Sequence, residues 1–399
     1  MRTLLFSVAL LAGSVAAAAA QQTITLAAGD KPIAISLTPV FAIGAPEGEV
    51  WEMFAEASSV AFDAQDNLYV LDQMDGRVVV FDARGKYLRN IGRPGPGPGE
   101  MQMPNALAVL RDGSVVVSDL SRKAFSIWDR TGKFVRSVPY GDMTGTPTLN
   151  GLAVGGDQLL VRQHARRADE QPDGKLPFMR FDPATGKGTV ALRVEPPIDG
   201  EETRVESRGN TMTMRLPAVP TFSPTPLMAG LSDGTLAVSY AFDYTVRLAG
   251  KTGERVIRRA VASRKVTAAD RERILKVRRE TLERDGQVTY SFRGGNSTKS
   301  SKKLTPAEIN QRLKAIEFAT TMPAIRGLLV DGRDNLWISR SPQSGKATSP
   351  VDVVRADGTY VGTIPDLAFP IAVSASGLAA YIEMHPDGYQ QVIVKRIRV

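Results

Sequence analysis

Residues 62–91 read FDAQDNLYVLDQMDGRVVVFDARGKYLRNI, and residues 110–138 repeat the pattern as LRDGSVVVSDLSRKAFSIWDRTGKFVRSV. The two copies align 47 positions apart, so that Asp72 falls on Asp119 and Phe81 falls on Trp128. Each copy consists of short predicted strands, in which successive side chains face opposite sides, separated by Asp/Gly turns. A fixed period of this length, filled with short strands, is typical of the blades of a propeller.

Weaker copies extend the repeat to the end of the chain. They lie around residues 151–192, 233–254, 334–359 and 369–399. At about 40 residues per unit, the sequence predicts an all-β fold, a six-bladed β-propeller of four-stranded antiparallel blades. Residues 34–44 resemble the outer strand of a unit, and we expect them to complete the last blade and join the ends of the ring.

The N-terminus has the pattern of a secretory signal peptide. A charged start is followed by the apolar run 4–12 and by a small-residue cleavage site before Gln21, which predicts a signal peptide over residues 1–20. The run is too short to span a bilayer, and we expect no transmembrane segment later in the chain. The absence of cysteine excludes a disulfide framework. We therefore predict a periplasmic or secreted protein in which residues 21–399 form one propeller domain.

The net charge of +8 is concentrated in one segment. Residues 251–317 contain 18 Lys/Arg and 8 Asp/Glu, so this segment has an excess of ten positive charges. Within it, residues 266–320 interrupt the repeat between the fourth and fifth blades. The basic character therefore belongs to an insertion, and the ring itself is close to neutral.

The insertion carries two helix-start signals. Thr267 with Asp270, and Thr305 with Glu308, have the spacing of a capping box. We predict two short amphipathic helices joined by a basic Gly/Ser/Lys loop over residues 294–303, with Val277 on the apolar stripe of the first helix. The first helix is rich in basic residues, which are Arg271, Arg273, Lys276, Arg278 and Arg279. These residues fit either an anionic partner or a solvated helix face paired with the interleaved acids.

The predicted long loops all lie on one face of the ring. Connections between blades, and those inside the second hairpin of a blade, open onto the same side. The long loops have these positions: 92–104, 139–148, 162–178, 194–221, 261–322 and 340–350. Turns on the opposite face, such as 64–66 and 83–85, are minimal. Insertions on one face of a repeat array usually mark the binding face.

The motifs of the first units resemble those of a known family. The runs 67–72, 77–82 and 85–92, and the loop Gly97-Pro98-Gly99-Glu100, are similar to an NHL repeat. The resemblance implies a bacterial exported propeller of six blades. It implies little about function, because such propellers include binding scaffolds, lyases and lactonases.

Candidate contact residues follow from their predicted positions at strand ends or in loops of the long-loop face. They are Arg162, His164, Tyr240, Arg326 and Arg340. His164 is one of only two histidines in the chain, which is too few for the usual zinc ligand sets. An exposed loop histidine without a chemical role is the other interpretation of His164.

Carboxylates offer an alternative, catalytic interpretation. Asp72 and Asp119 end the second strand of their blades on the long-loop side, where Ca²⁺ or Zn²⁺ is held in propeller lactonases. The equivalent positions of later units are not acidic, so the ring of oxygen ligands is incomplete. In the other interpretation, each aspartate accepts hydrogen bonds from nearby backbone.

The sequence favours a non-catalytic scaffold without a cofactor, while leaving open whether the protein is an enzyme. The expected partner is a protein, peptide or glycan of the cell envelope, bound by a monomer. Nucleic acid is not expected, because no recognised module is present. The alternative is a metal-assisted lactonase or lyase at the mouth of the channel, using Asp72 and Asp119.

Overall fold

The structure is a computed structural model, and it describes residues 22–140, 146–164, 173–197, 204–208, 211–215, 219–293, 296–344 and 346–398. The chain begins with β1 (Gln22–Thr25) and β2 (Ser36–Ile43). Four strands in chain order then form each of blades 1 to 5.

Blade 1 contains β3 (Ala57–Phe62), β4 (Leu68–Asp72), β5 (Arg77–Phe81) and β6 (Tyr87–Ile91). Blade 2 contains β7 (Pro104–Val109), β8 (Val115–Asp119), β9 (Ala124–Trp128) and β10 (Phe134–Pro139). Blade 3 contains β11 (Thr146–Gly155), β12 (Gln158–His164), β13 (Leu176–Asp182) and β14 (Lys187–Val194). The hairpin β15 (Arg204–Arg208) and β16 (Thr211–Arg215) follows it.

Blade 4 contains β17 (Leu227–Gly230), β18 (Leu236–Ser239), β19 (Thr245–Gly250) and β20 (Gly253–Arg258). The insertion contains α1 (Ala268–Asp285), β21 (Gln287–Arg293), β22 (Asn296–Lys302) and α2 (Pro306–Lys314). Blade 5 contains β23 (Ile325–Val330), β24 (Asn335–Arg340), β25 (Ser349–Arg355) and β26 (Tyr360–Leu367). Blade 6 contains β27 (Ala372–Val373), β28 (Leu378–Met384), β29 (Gln390–Arg398) and β2.

The blades form a closed ring, which confirms the predicted six-bladed propeller. The first strand of each blade contacts the first strands of its two neighbours, and β27 of blade 6 contacts β3 of blade 1. One hydrophobic cluster lies between each pair of neighbouring blades. Between blades 1 and 2, for example, Tyr69 and Leu71 pack with Val117 and Trp128. Each blade therefore buries both faces only because it has two neighbours.

The N-terminal segment joins the two ends of the ring. As predicted for residues 34–44, β2 pairs antiparallel with β29 and completes blade 6. The sequence did not reveal β1, which adds a fifth strand to blade 4 by pairing in parallel with β20. Between them, the Ile33 N–H donates to the Thr363 carbonyl of blade 5 at 2.7 Å, and the Thr363 N–H donates to the Lys31 carbonyl at 2.8 Å. Residues 22–43 therefore bind the outer edges of three consecutive blades.

The Asp and Asn residues of the repeat fix the turn between the first two strands of a blade. Asp63 accepts hydrogen bonds from the backbone N–H of Asn67 (2.8 Å) and from the Tyr69 hydroxyl (3.2 Å). In blade 5, Asp331 accepts from Asn335 N–H (2.9 Å) and from the indole N–H of Trp337 (3.0 Å). Such local bonds hold the tight turn that the pairing of strands requires.

The insertion differs from its prediction in two respects. Residues 294–303 were expected to form a loop, but β21 and β22 pair as an antiparallel hairpin from Gln287↔Lys302 to Arg293↔Asn296. The signal for it was the alternation of Val288, Tyr290 and Phe292 before Gly294-Gly295.

The helices begin where the capping boxes predict, at Thr267 and Thr305. The second correction concerns the apolar stripe of α1, because Val277 is 53% exposed and Asp270 is the one residue of α1 that is buried. In α2, by contrast, Ile309 and Leu313 are buried. The helix α2 is therefore packed, whereas α1 presents most of its surface to solvent.

Candidate functional site

The long connections and the insertion lie on one face, which we call the long-loop face. The innermost strands β17 and β23 begin there, because each follows a long connection between blades. The starts of the innermost strands together form the rim around the axis of the ring, and we call this rim the mouth. Side chains at these strand starts are placed to contact a ligand entering from the long-loop face.

Three innermost strands have an irregularity at the same position near the mouth. The pairing of β3, β7 and β23 with the next strand skips one residue, which is Ser58, Asn105 and Arg326 respectively. A β-bulge inserts an extra residue and re-aims its side chain. Asn105 is buried, whereas Arg326 is exposed. Blade 5 therefore presents an arginine at a bulge where blades 1 and 2 have small polar residues.

Arginines lie next to phenylalanine rings at the mouth between blades 4 and 5. The guanidinium carbon of Arg326 is 6.0 Å from the centre of the Phe222 ring. That of Arg271 in α1 is 5.6 Å from the Phe318 ring, and the two rings are 6.0 Å apart. These distances are within the range of cation–π attraction. We call Phe222, Arg271, Arg273, Phe318 and Arg326 the mouth cluster.

Backbone pairing between two connections positions the rings. The Thr221 N–H donates to the Glu317 carbonyl at 2.7 Å, and the Ala319 N–H donates to the Thr221 carbonyl at 2.9 Å. Phe222 follows with a φ of 73°, in the left-handed region that bulky residues rarely adopt. Backbone strain of this kind persists only where the surrounding structure holds it in place. The position of the Phe222 ring is therefore fixed by its neighbours.

The N-terminus of α1 is anchored to the ring beside the mouth. Arg264 donates two hydrogen bonds to Asp270, at 2.6 and 3.1 Å, and a third to the Pro342 carbonyl of blade 5. Asp270 also closes the capping box with Thr267. The bonds from Arg264 keep the pKa of Asp270 well below its usual range, although burial opposes this. Because its first turn is fixed, α1 holds Arg271 and Arg273 at the mouth.

The surroundings of Arg326 disfavour its positive charge. Desolvation lowers the pKa of Arg326, and the nearby charge of Arg273 lowers it further. Groups whose pKa is perturbed by desolvation and a neighbouring charge are candidates for functional sites.

Two further predicted contact residues meet between blades 3 and 4. Arg162 donates a hydrogen bond to the carbonyl of Pro226, the residue before β17. Burial lowers the pKa of Arg162, and the nearby Tyr240 opposes this change. Tyr240 is half-buried against the cluster between the two blades, and burial raises its pKa. The structure therefore brings these two residues together next to the start of an innermost strand.

The remaining predicted contact residues have different surroundings. His164 is the last residue of β12, opposite Thr146, and its side chain lies outside the described part of the chain. Arg340 is mostly buried and forms ion pairs with Asp30 at 2.7 Å and Asp352 at 3.7 Å. Its charge is already matched within the protein, so Arg340 helps to hold the N-terminal segment against blade 5.

The carboxylates of the alternative metal site accept hydrogen bonds from the protein itself. Asp72 is buried and accepts from Glu56 N–H (2.9 Å) and from Arg77 (2.9 Å). Asp119 is buried and accepts from Gln102 N–H (2.8 Å) and Ser121 N–H (3.0 Å). Among the described residues, no group of three or more His, Cys, Asp or Glu side chains is placed to hold a metal ion.

The comparisons with known proteins agree on the fold. Residues 54–143 match the family DUF5128, described as a six-bladed beta-propeller. "Protein brain tumor" of Drosophila melanogaster is 33% identical over 95 residues, which is 23% of this chain and 9% of that protein. The chain therefore matches only a small part of this relative's length.

The likeness to solved structures covers more of the chain. A member of the DUF4221 family from Bacteroides vulgatus has a TM-score of 0.50 at 12% identity, covering 91% of this chain and 98% of that structure. Virginiamycin B lyase from Staphylococcus aureus has a TM-score of 0.40 at 9% identity, covering 92% and 100%. At these identities the likeness extends to the fold alone.

In the part of the chain that the structure describes, no helix has the length and apolar character needed to cross a bilayer.

Arg326 is among the contact residues that the sequence predicts, whereas the aromatic residues of the mouth cluster are not. Phe222 and Phe318 lie 96 positions apart in segments without a repeat pattern, so nothing in the sequence placed them together. The one available signal was that each precedes the innermost strand of a blade. Arg271 and Arg273 were recognised as basic helix residues, but their place at the mouth depends on the Arg264–Asp270 anchor.

Proposed function

We propose that the protein is a non-catalytic binding propeller of the cell envelope, which recognises a protein, peptide or glycan through its long-loop face. The observation that carries this proposal is the mouth cluster, in which Arg326 lies 6.0 Å from the centre of the Phe222 ring and Arg271 lies 5.6 Å from that of the Phe318 ring. Export is the part of the proposal that depends on the predicted signal peptide.

The mouth cluster has the features of a preorganised contact surface. Phe222 is fixed by backbone pairing, Arg326 lies on a β-bulge, and α1 is anchored by Asp270. Arginine side chains are among those that supply much of the binding energy in many interfaces, and the buried Phe222 ring supports the guanidinium of Arg326. Rigid side chains lose less conformational entropy when a ligand binds. The arrangement therefore supports recognition.

A binding role also agrees with the state of the carboxylates. Both Asp72 and Asp119 use their oxygens to hold backbone N–H groups at the start of an innermost strand. A Ca²⁺ site needs six or more oxygen ligands, and these two carboxylates would have to give up their hydrogen bonds to supply any. We therefore prefer recognition to metal-assisted hydrolysis or elimination.

The chain has no cysteine, which allows a direct test of which face binds. Val219→Cys places one thiol three residues before Phe222, at a residue that is 48% exposed. Arg84→Cys places one thiol on an exposed turn of the opposite face. Each variant is labelled with a long polyethylene glycol maleimide and applied, with the unlabelled protein, to defined peptide and glycan arrays.

The proposal predicts that the unlabelled protein binds a subset of array ligands. The label at position 219 should abolish this binding, whereas the label at position 84 should leave it unchanged. Binding that is blocked only at position 84, or no binding on either array, would contradict the proposal. Melting curves of the labelled proteins serve as the control for folding of both variants.

A further inference from the structure

We infer that the outer edge of β20 is a strand-addition site, which binds an extended apolar segment of a partner protein in the place that β1 occupies. The site lies on the outer rim of blade 4, because β20 is the strand of that blade farthest from the innermost strand β17. It is separate from the mouth cluster, so the inference goes beyond the proposed function.

The outermost strands of five blades carry a β-bulge. In each of them, the pairing with the neighbouring inner strand skips one residue. The skipped residues are Val40, Leu88, Val135, Ala191 and Val361. Bulges twist the edge of a sheet and protect it from pairing with a further strand. Accordingly, the N-terminal segment forms only an isolated bridge with blade 5, at Pro32↔Thr363.

Blade 4 has a regular outer edge instead. β20 pairs with all six residues of β19 without a shift of register. The sequence reason is a tight turn, in which only Lys251 and Thr252 separate the two strands. β1 pairs in parallel with this edge over its whole length. Among the six outermost strands, the one without a bulge is thus the one that has gained a further strand.

β1 is held by few contacts of its own. It has four residues, of which Gln22, Thr23 and Thr25 are exposed. The segment after it is anchored separately, because Arg259 donates to the Asp30 carboxylate at 2.8 Å. Short segments with few buried contacts open locally while the rest of the protein stays folded. β1 can therefore leave the edge of β20 without releasing the segment that follows it.

An apolar slot determines which segment fits this edge. Ile24 packs on the hydrophobic cluster between blades 4 and 5, and Leu26 belongs to that cluster. A Cβ on Gly358 would lie 2.5 Å from the Ile24 Cδ1, so glycine in this turn leaves room for the isoleucine. Arg255 holds the turn by donating to the Ala356 carbonyl at 3.1 Å. The slot therefore selects a branched apolar residue followed, two positions later, by a second apolar residue.

The backbone of β20 supplies the remaining contacts. The Leu26 N–H donates to the Arg258 carbonyl at 2.8 Å. In strand addition, such main-chain hydrogen bonds give affinity, and pockets for alternate side chains give specificity. The exposed Thr23 and Thr25 show that the positions around the branched residue face solvent. The ligand class is therefore an extended segment, parallel to β20, with apolar residues two positions apart.

The test measures the fluorescence anisotropy of a labelled peptide with the sequence of residues 22–28, QTITLAA, in the presence of the chain from residue 21 onward. In the protein, Ile24→Asp places a carboxylate in the apolar slot and should release β1 from the edge. The peptide should bind this variant at least about tenfold more tightly than the parent, in which β1 competes for the same edge.

A disulfide provides a matched control in a chain that has no cysteine of its own. Thr25→Cys with Arg258→Cys places the two thiols on directly opposed, exposed residues of β1 and β20. The oxidised form keeps β1 in place and should not bind the peptide, whereas the reduced form should bind it. Because both forms have the same sequence, this comparison does not depend on how Ile24→Asp affects folding.

Two altered peptides distinguish strand addition from apolar adhesion. One has aspartate at the position of Ile24, and the other has N-methyl-leucine at the position of Leu26, which removes the N–H that bonds to Arg258. Each change should weaken binding to the Ile24→Asp protein by about tenfold or more. Bound peptide should slow amide hydrogen exchange in β20 and leave it unchanged in the bulged β6.

Three results would overturn the inference. They are a lack of peptide binding to the Ile24→Asp protein, equal binding by the oxidised and reduced disulfide variant, and equal binding of the unmodified and N-methylated peptides. None of these results bears on the label at position 219, because that label lies on the long-loop face. The proposed function therefore stands or fails independently of the strand-addition site.

Discussion

Replacing Asp352 with alanine should lower the free energy of unfolding by about 3 kcal/mol or more, because the change leaves the Arg259 charge buried without its buried partner. Both side chains are 0% exposed, and Arg259 donates to Asp352 at 2.7 Å. Burial lowers the pKa of Arg259, but the hydrogen bond and charge of Asp352 outweigh this and raise it. Urea unfolding followed by circular dichroism measures the loss.

The size of this effect follows from how many parts of the ring meet at Arg259. Arg259 is the residue after β20 of blade 4, and its guanidinium donates a hydrogen bond to Asp352 on β25 of blade 5. It also donates to the Ala27 carbonyl and to the Asp30 carboxylate, both at 2.8 Å. The Tyr360 ring centre lies 4.7 Å from its central carbon. One buried cation thus joins two blades and the N-terminal segment.

A surface carboxylate of the same blade provides the control. Asp366 pairs with Lys346 at 3.8 Å, and both side chains are about half exposed. Asp366→Ala should therefore cost at most about 1 kcal/mol. Combining Arg259→Met with Asp352→Leu should recover part of the loss, since no unpaired charge remains. Equal losses of unfolding free energy for Asp352→Ala and Asp366→Ala would show that the buried ion pair stabilises the protein no more than the exposed pair does.

Removing residues 22–43 should abolish cooperative folding of the ring. This truncation deletes β2, which pairs with β29 from Ser36↔Arg398 to Ile43↔Val392. It also removes Phe41, which packs on the cluster between blades 6 and 1. The deletion exposes the edge of β29 and one face of the hydrophobic core. The free energy lost should exceed a typical free energy of unfolding of about 5–15 kcal/mol. Circular dichroism melting and gel filtration measure the outcome.

A shorter truncation separates the two N-terminal strands. A chain that begins at Ile35 keeps β2 but lacks β1 and the Asp30 carboxylate that pairs with Arg259 and Arg340. It should fold with a lower melting temperature, because the ring is still closed at blade 6. A chain that begins at Gly44 and melts like the parent would contradict the closure described here.

The ring could be predicted because its signals are local and repeated. The Asp/Gly turns and the alternation within 62–91 and 110–138 define a blade, and copies of the pattern define the number of blades. The equivalence of Asp72 and Asp119 also holds, since both pair with the first residue of the innermost strand. The helix starts at Thr267 and Thr305 were predictable from the capping boxes.

Features that depend on distant contacts could not be predicted. β1 pairs with a strand more than 200 residues away, and a sequence of four residues carries no signal for that partner. The position of Arg340 at a strand end predicts contact with a ligand. In the structure, Arg340 instead pairs with Asp30, which is 310 residues away in sequence. For α1, the helical spacing of Val277 indicated burial, whereas most of this helix faces solvent and Val277 is 53% exposed.

Amide hydrogen exchange, with and without the tightest-binding array ligand, tests the central claim most directly. We predict added protection in residues 219–223, 264–275 and 325–327, which form or support the mouth cluster, and unchanged exchange in turns 63–67 and 129–133 of the opposite face. Protection confined to those turns, with no change around Phe222 and Arg326, would contradict recognition through the long-loop face.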